Sequence, residues 1–288
     1  MNIKKIGLTA LAGSLIATTT GFAGEMMVSG AAKLSYKSLS GTANVAATEA
    51  SRFAMDQDLS IGGSAELDNG MTISLSHALA AAGGTSDTSS LTLDMGDMGS
   101  VTYNDTDLDN GLRALKDISP TAYEDALDGI TGSSSAVMPS GQGFAYNNSF
   151  GGAAVSLVYS DNLAATADRS DKGQDTTSAG ANSSSSIGIT YPVMDLGLTV
   201  YAGMGVAGQG DGNEHEHNML GLKYAYGPMT VSYQRNARDD QDNTVTGTAA
   251  NGEDLVSHIM GVSFAVNDSL SISYGEHETG TSESTFDQ

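Results

Sequence analysis

The chain has no cysteine, no tryptophan, only four prolines, and twelve Lys and Arg residues against 34 Asp and Glu in 288 positions. Without cysteine there is no disulfide, no thiolate metal site and no thiol nucleophile. With so few basic residues, and none clustered, a phosphate backbone has nothing to bind, so nucleic-acid partners are excluded. No segment after the N-terminal region approaches the roughly eighteen consecutive apolar residues that a transmembrane helix needs. Glycine is abundant instead, with 36 residues, and aromatics are few at 6%. This composition suits many tight turns and small side chains better than a packed soluble core. The length allows one or two domains, since single all-β architectures commonly reach it.

The N-terminal segment MNIKKIGLTALAGSLIATTTGFA carries Lys4 and Lys5, then an apolar run from Ile6 to Ala17, then small residues ending at Ala23. That is the layout of a secretory signal peptide, 1–23, cleaved after Ala23. Its removal leaves ten basic residues against 34 acidic ones. The apolar run is too short to span a bilayer and is interrupted by Gly7 and Gly13. An exported chain without a spanning helix can enter a membrane only as a barrel, because lipid offers no partner to an unpaired backbone group.

Period-two alternation dominates after residue 25 and predicts strands. Met26, Val28, Ala32, Leu34 and Tyr36 alternate with Ser29, Lys33, Ser35 and Lys37. Phe53, Met55, Leu59, Ile61, Ala65 and Leu67 alternate with Arg52, Asp56, Asp58, Ser60, Ser64 and Glu66. The Asn-Gly of Asp68-Asn69-Gly70 then predicts a tight hairpin into Met71, Ile73, Leu75 and Leu79. Comparable segments near 90–94, 100–104, 143–148, 153–160, 186–191, 196–203, 218–226, 229–236, 255–266 and 269–275 bring the expectation to thirteen strands.

The connections alternate in length. Long links at 39–49, 81–89, 105–141, 161–185, 205–217 and 237–254 are interleaved with short ones at 68–70, 96–99, 151–152, 192–195, 227–228 and 267–268. Strict alternation puts the short turns at one end of the sheet and the long loops at the other, as in outer-membrane barrels. A soluble sandwich would use the charged face as its solvent face. The apolar face here is thin in large side chains and rich in Ala, Gly, Leu and Val, which suits lipid. Tyr36, Tyr103, Tyr146, Tyr159, Tyr191, Tyr226 and Tyr274 fall near strand ends, where a barrel needs interfacial girdles.

With SLTLDMGDMGSVTYND followed by a long acidic insertion containing ALKDISPTAYEDALDG, the sequence resembles the general porins of the Gram-negative outer membrane, and more closely the alphaproteobacterial kind. The resemblance implies an all-β fold, an antiparallel transmembrane β-barrel of the sixteen-strand porin type, over residues 24–288. It implies a passive diffusion channel for small hydrophilic solutes and ions, a homotrimer, and a setting of outer-membrane lipid and lipopolysaccharide. It also implies that the third long connection, 105–141, folds inward as a constriction loop. Charge at a narrow point between low-dielectric walls focuses the field and sets ion preference. The loop carboxylates Asp105, Asp107, Asp109, Asp117, Glu124, Asp125 and Asp128 therefore predict cation preference, with Arg113 and Lys116 opposing them. The resemblance places basic residues on the facing wall, where Lys33, Lys37 and Arg52 are the matching candidates. The thirteenth strand leaves the count three short of sixteen, so the expectation is a C-terminally truncated barrel.

Other chemistry is thinner. Asp105, Asp107 and Asp109 resemble the start of a calcium loop, but an EF-hand wants Gly and Glu where Asn110 and Lys116 stand, so only a looser Ca²⁺ site fits. His215-Glu216-His217 could ligate a metal, yet lies in an expected loop with no third ligand evident. His77 and His258 fall on the apolar register of their strands and read as structural or interfacial. There is no GxSxG, and no histidine has a motif partner, so an enzyme is not expected. The alternative from another class is an adhesin or surface-layer protein displaying long loops such as DRSDKGQDTTSAGANSSSS. Such a protein would need no inward loop.

Overall fold

A computed structural model describes residues 17–19, 25–37, 52–79, 86–105, 108–120, 138, 141–162, 182–193, 196–208, 214–240 and 254–281. Expected loops and site residues elsewhere, Asp107, Glu124, Asp125 and Asp128 among them, lie outside the described residues.

One fourteen-stranded sheet runs in strict chain order, each strand antiparallel to the next. The strands are β1 (Ala17–Thr19), β2 (Glu25–Lys37), β3 (Arg52–Glu66), β4 (Thr72–Leu79), β5 (Ser86–Asp94), β6 (Ser100–Asn104) and β7 (Gln142–Phe150). They continue as β8 (Ala153–Asn162), β9 (Asn182–Val193), β10 (Leu198–Gly208), β11 (Glu214–Tyr226), β12 (Met229–Asp240), β13 (Leu255–Asn267) and β14 (Leu270–Thr281). The thirteen expected strands are β2 to β14. The short β1 lies within the expected leader and pairs with β2 at Ala17↔Val28, Thr18↔Met27 and Thr19↔Met26.

The turns at one end are tight for a chemical reason. Gly227 takes a φ of 55° between β11 and β12, and Gly151 and Gly152 take φ of 58° and 88° between β7 and β8. Left-handed backbone at these positions lets the chain reverse within two residues. The β5–β6 turn is a single 3₁₀ turn, Gly96–Met98, closed by Met95 N–H donating to Gly99 O at 2.9 Å.

The two faces of the sheet are inverted relative to a soluble protein. Leu75, Met204, Leu220 and Ile272 are 53 to 65% exposed, while Ser160, Ser184, Gln234, Asn236 and Ser257 are buried. Registers such as Leu222↔Tyr233, Tyr233↔Met260 and Val262↔Tyr274 carry the large apolar side chains on one continuous face. An apolar face turned outward and a polar face turned inward is the pattern of a barrel solvated by lipid.

The strands extend further toward the long-loop end than alternation predicts. β11 starts at Glu214, not near 218, and β12 runs to Asp240, not 236. His215-Glu216-His217 is thus corrected from loop to strand, with His217 paired with Gly205 and Arg238. Above the lipid zone both faces of a strand meet water or protein, so the sequence there loses its apolar period while the backbone ladder continues.

Candidate functional site

The insertion after β6 folds against the inner face of the sheet. Its described part, 108–120, carries apolar residues at 108, 112, 115 and 118, around the 3₁₀ turn Arg113–Leu115. Leu108, Leu112, Leu115 and Ile118 are all buried, and Met138 returns to join them. Leu112, Leu115, Ile118 and Met138 cluster with Ala207 and Met219 of the wall, and Tyr201 packs against the group. Burying one such side chain contributes roughly 1.5–3 kcal/mol, so the cluster holds the loop against the wall rather than leaving it in the aqueous lumen.

The wall has made room for it. An added Cβ at Gly203 would meet Leu112 Cδ1 at 2.6 Å, at Gly221 Ile118 Cδ1 at 2.6 Å, and at Gly261 Pro120 Cδ at 2.7 Å. At Gly188 it would collide with the carbonyl of Gly111. Glycine here is a matter of space, because the loop backbone and apolar tips lie where side chains would otherwise stand.

Polar contacts fix the path. Asn110 Nδ2 donates to Asn147 Oδ1 on β7 at 3.5 Å, Gly111 N–H to Ser156 Oγ on β8 at 2.9 Å, and Leu112 N–H to Ser186 Oγ on β9 at 3.2 Å. Further along, Ile118 N–H donates to Gln234 Oε1 on β12 at 2.8 Å. The segment from Asn110 to Pro120 thus passes strands β7 to β13 in order.

The charged groups divide as follows. Asp105 is not directed along the loop: its Oδ1 accepts from Ser89 N–H at 2.7 Å and ties the start of the insertion to β5. Asp109 is exposed and lies 3.6 Å from Arg113 Nε, while Arg113 Nη1 donates to Met138 O at 2.9 Å. Asp117 Oδ1 accepts from Ser119 N–H at 2.7 Å. Asp117 also acts electrostatically on Lys223 of β11 and His277 of β14. Lys223 Nζ stands 5.7 Å from the Tyr201 ring centroid, a cation–π distance. Lys116 presents its carbonyl to Gln234 Nε2 and Asn236 Nδ2.

Lys33, Lys37 and Arg52, the wall candidates from sequence, sit on β2 and β3 at the registers Lys33↔Asp56 and Lys37↔Arg52. Their side chains are outside the described residues, and the described contacts of the 108–120 segment fall on β7 to β13. Sequence reasoning missed Lys223 and His277 as partners of the loop, together with Gln234 and Asn236. Lys223 was readable only as a polar member of an alternating strand, and His277 lay beyond the expected strand 269–275; that Asp117 acts on them depends on where the loop crosses.

Beneath the loop, toward the short-turn end, lies a recess of approximately 780 Å³ lined by Asp94, Asp97, Asn110, Asn147, Ser156 and Thr190 among others. His77 Nδ1 lies 2.7 Å from Ser89 Oγ, and His258 Nδ1 lies 2.8 Å from Tyr233 Oη, so both outward-register histidines serve neighbouring strands. His215 and His217 have ring centroids 6.4 Å apart. Among the described residues no group of three His, Cys, Asp or Glu is placed to hold a metal.

Residues 7–288 match the family model described as Gram-negative porin. Among solved structures, a porin refined at 1.8 Å resolution is 16% identical with a TM-score of 0.51, covering 88% of this chain and 94% of that one. An anion-selective porin from Comamonas acidovorans is 14% identical with a TM-score of 0.56, covering 94% of this chain and 80% of that one. At these identities the likeness is one of fold. No curated protein matches the chain.

Proposed function

The chain belongs to the Gram-negative porin family, and from that premise we propose that it forms a cation-preferring diffusion pore for small hydrophilic solutes, working as a homotrimer. It is a β-barrel porin of the outer membrane and a passive channel rather than an enzyme. Passage through such a pore needs no chemistry from the protein. It needs a water-filled lumen, a narrow point, and charge at that point.

One observation carries the reading: the 108–120 segment lies on the inner wall, with Asp109 exposed beside Arg113 and Asp117 on the same stretch directly before the clamped Ile118. Carboxylates beside a low-dielectric wall raise the local concentration of cations and lower that of anions. The fold alone does not set the sign, since a structural neighbour is named as anion-selective. The sign must come from this chain's own side chains, and 34 acidic against 12 basic residues support cations.

Reversal potentials of the purified protein in planar bilayers under a KCl gradient test the proposal. A potential of the sign that favours K⁺ is expected, and one that favours Cl⁻ would refute the cation preference. Conductance steps in groups of three support the trimer, whereas single independent steps would count against it.

A further inference from the structure

Gln234 lies on the inward face of β12, fully buried, at 0% exposure. Its Oε1 accepts from Ile118 N–H at 2.8 Å. Its Nε2 shares two hydrogens among three acceptors, Leu115 O at 2.7 Å, Lys116 O at 2.9 Å and Asn236 Oδ1 at 2.6 Å. Asn236, the next inward residue of the same strand and also buried, donates from Nδ2 to Lys116 O at 3.0 Å. One amide therefore answers both the donor and the acceptors of a loop stretch that has left any regular ladder. Glutamine alone among side chains of this length offers a carbonyl and an NH₂ together. Alanine here would leave those groups unmet, and glutamate would set a carboxylate against two carbonyls.

We infer that Gln234 is the positioning residue that holds the constriction loop at its distance from the wall, and that through this hold it sets both the calibre of the pore and the place of the Asp117 carboxylate within it. The inference rests on the porin reading, and it adds which wall residue fixes the narrow point. The mechanism is local. Ile118, whose N–H the glutamine accepts, directly follows Asp117 in the chain. When the clamp is lost, Leu115 O, Lys116 O and Ile118 N–H must find water, and the water is in the lumen. The stretch then moves off the wall, narrows the passage and carries Asp117 with it toward the lumen. Arg113, held to Met138 O and near Asp109 on the earlier part of the loop, is left in place.

The test compares Gln234→Leu, which keeps the volume and removes every polar contact, with the wild type as full chains in planar bilayers. Heat-modifiable mobility on gels establishes that each variant is a folded barrel. Single-channel conductance is expected to fall roughly twofold with noisier open levels, because a loop displaced by about one hydrogen-bond length occupies lumen cross-section. The second readout is selectivity coupling. Asp117→Asn is expected to shift the reversal potential in the wild-type background and to shift it more in the Gln234→Leu background, where the carboxylate has moved with the loop toward the ion path. A change confined to barrel stability would move neither quantity. If Gln234→Leu does not fold, Asn236→Ala, which removes only one loop contact, is expected to lower conductance in the same direction by less. A folded variant of either kind with wild-type conductance and an unchanged Asp117→Asn shift overturns the inference. That result would leave the cation preference standing or falling on the wild-type reversal potential alone.

Discussion

An alanine at Gly261 and an alanine at Gly221 should have different consequences, though both glycines lie beneath the same loop. At Gly261 the new methyl would meet Pro120 Cδ and Ser119 Cβ, with Ser119 Cα at 3.2 Å, so the loop backbone itself must move. At Gly221 it would meet the ends of Ile118 and Met219, which can rotate away at a cost of order 0.5–1.5 kcal/mol. Gly261→Ala is expected to lower single-channel conductance measurably, while Gly221→Ala leaves it near wild type. Equal conductances would mean that the loop is not seated as described. Lys223 is the second residue-scale lever. Replacing it with Met removes a positive charge within reach of Asp117 and should raise cation preference in a reversal-potential measurement, whereas Asp117→Asn should lower it. At this scale the sequence revealed the acidity of the insertion and little more. Asp105 and Asp117 looked alike in sequence, yet one ties the loop start to Ser89 and the other closes a local turn with Ser119 N–H beside the clamped Ile118. Gln234 was one more polar member of an alternating strand, because its role depends on which loop atoms arrive opposite it.

At the scale of the strand, the alternation read from sequence is a statement about which solvent each face meets. Ser74 and Leu75 are neighbours on β4, the first in register with Ser64 and Thr92, the second with Gly63 and Leu91. Arginine at 75 is expected to destabilise the barrel by about 2–4 kcal/mol in guanidinium unfolding from lipid vesicles, if the site lies near mid-bilayer, while arginine at 74 should cost little, since it enters the polar side. A cost at 74 as large as at 75 would contradict the assignment of faces. The strands and their one-end turns were legible because lipid on one side and water on the other impose a strict period of two. The rims were not. Glu214 to His217 and Arg235 to Asp240 carry polar residues on both registers, so the period vanishes although pairing continues. The loop was equally opaque: its apolar positions 112, 115 and 118 show a three-residue spacing that suits a helix as well as a segment laid along a wall.

For the molecule as a whole, the question is whether selectivity belongs to the narrow point or to the overall excess of acidic residues, a net charge of -22. Salt separates the two. The screening length is about 10 Å at 0.1 M and about 3 Å at 1 M, so carboxylates far from the ion path cease to act at high salt while those beside it persist. Reversal potentials measured at a fixed KCl ratio, but at low and then high absolute concentration, should therefore show cation preference that weakens without vanishing. The part that survives at high salt should be removed by combining Asp109→Asn with Asp117→Asn, because these are the described carboxylates on the segment laid along the inner wall. If the high-salt preference is already absent in the wild type, the loop charges do not select, and the preference is a property of the acidic surface at large. If the double variant keeps it, the selecting carboxylates are elsewhere on the insertion, with Glu124, Asp125 and Asp128 the next to neutralise.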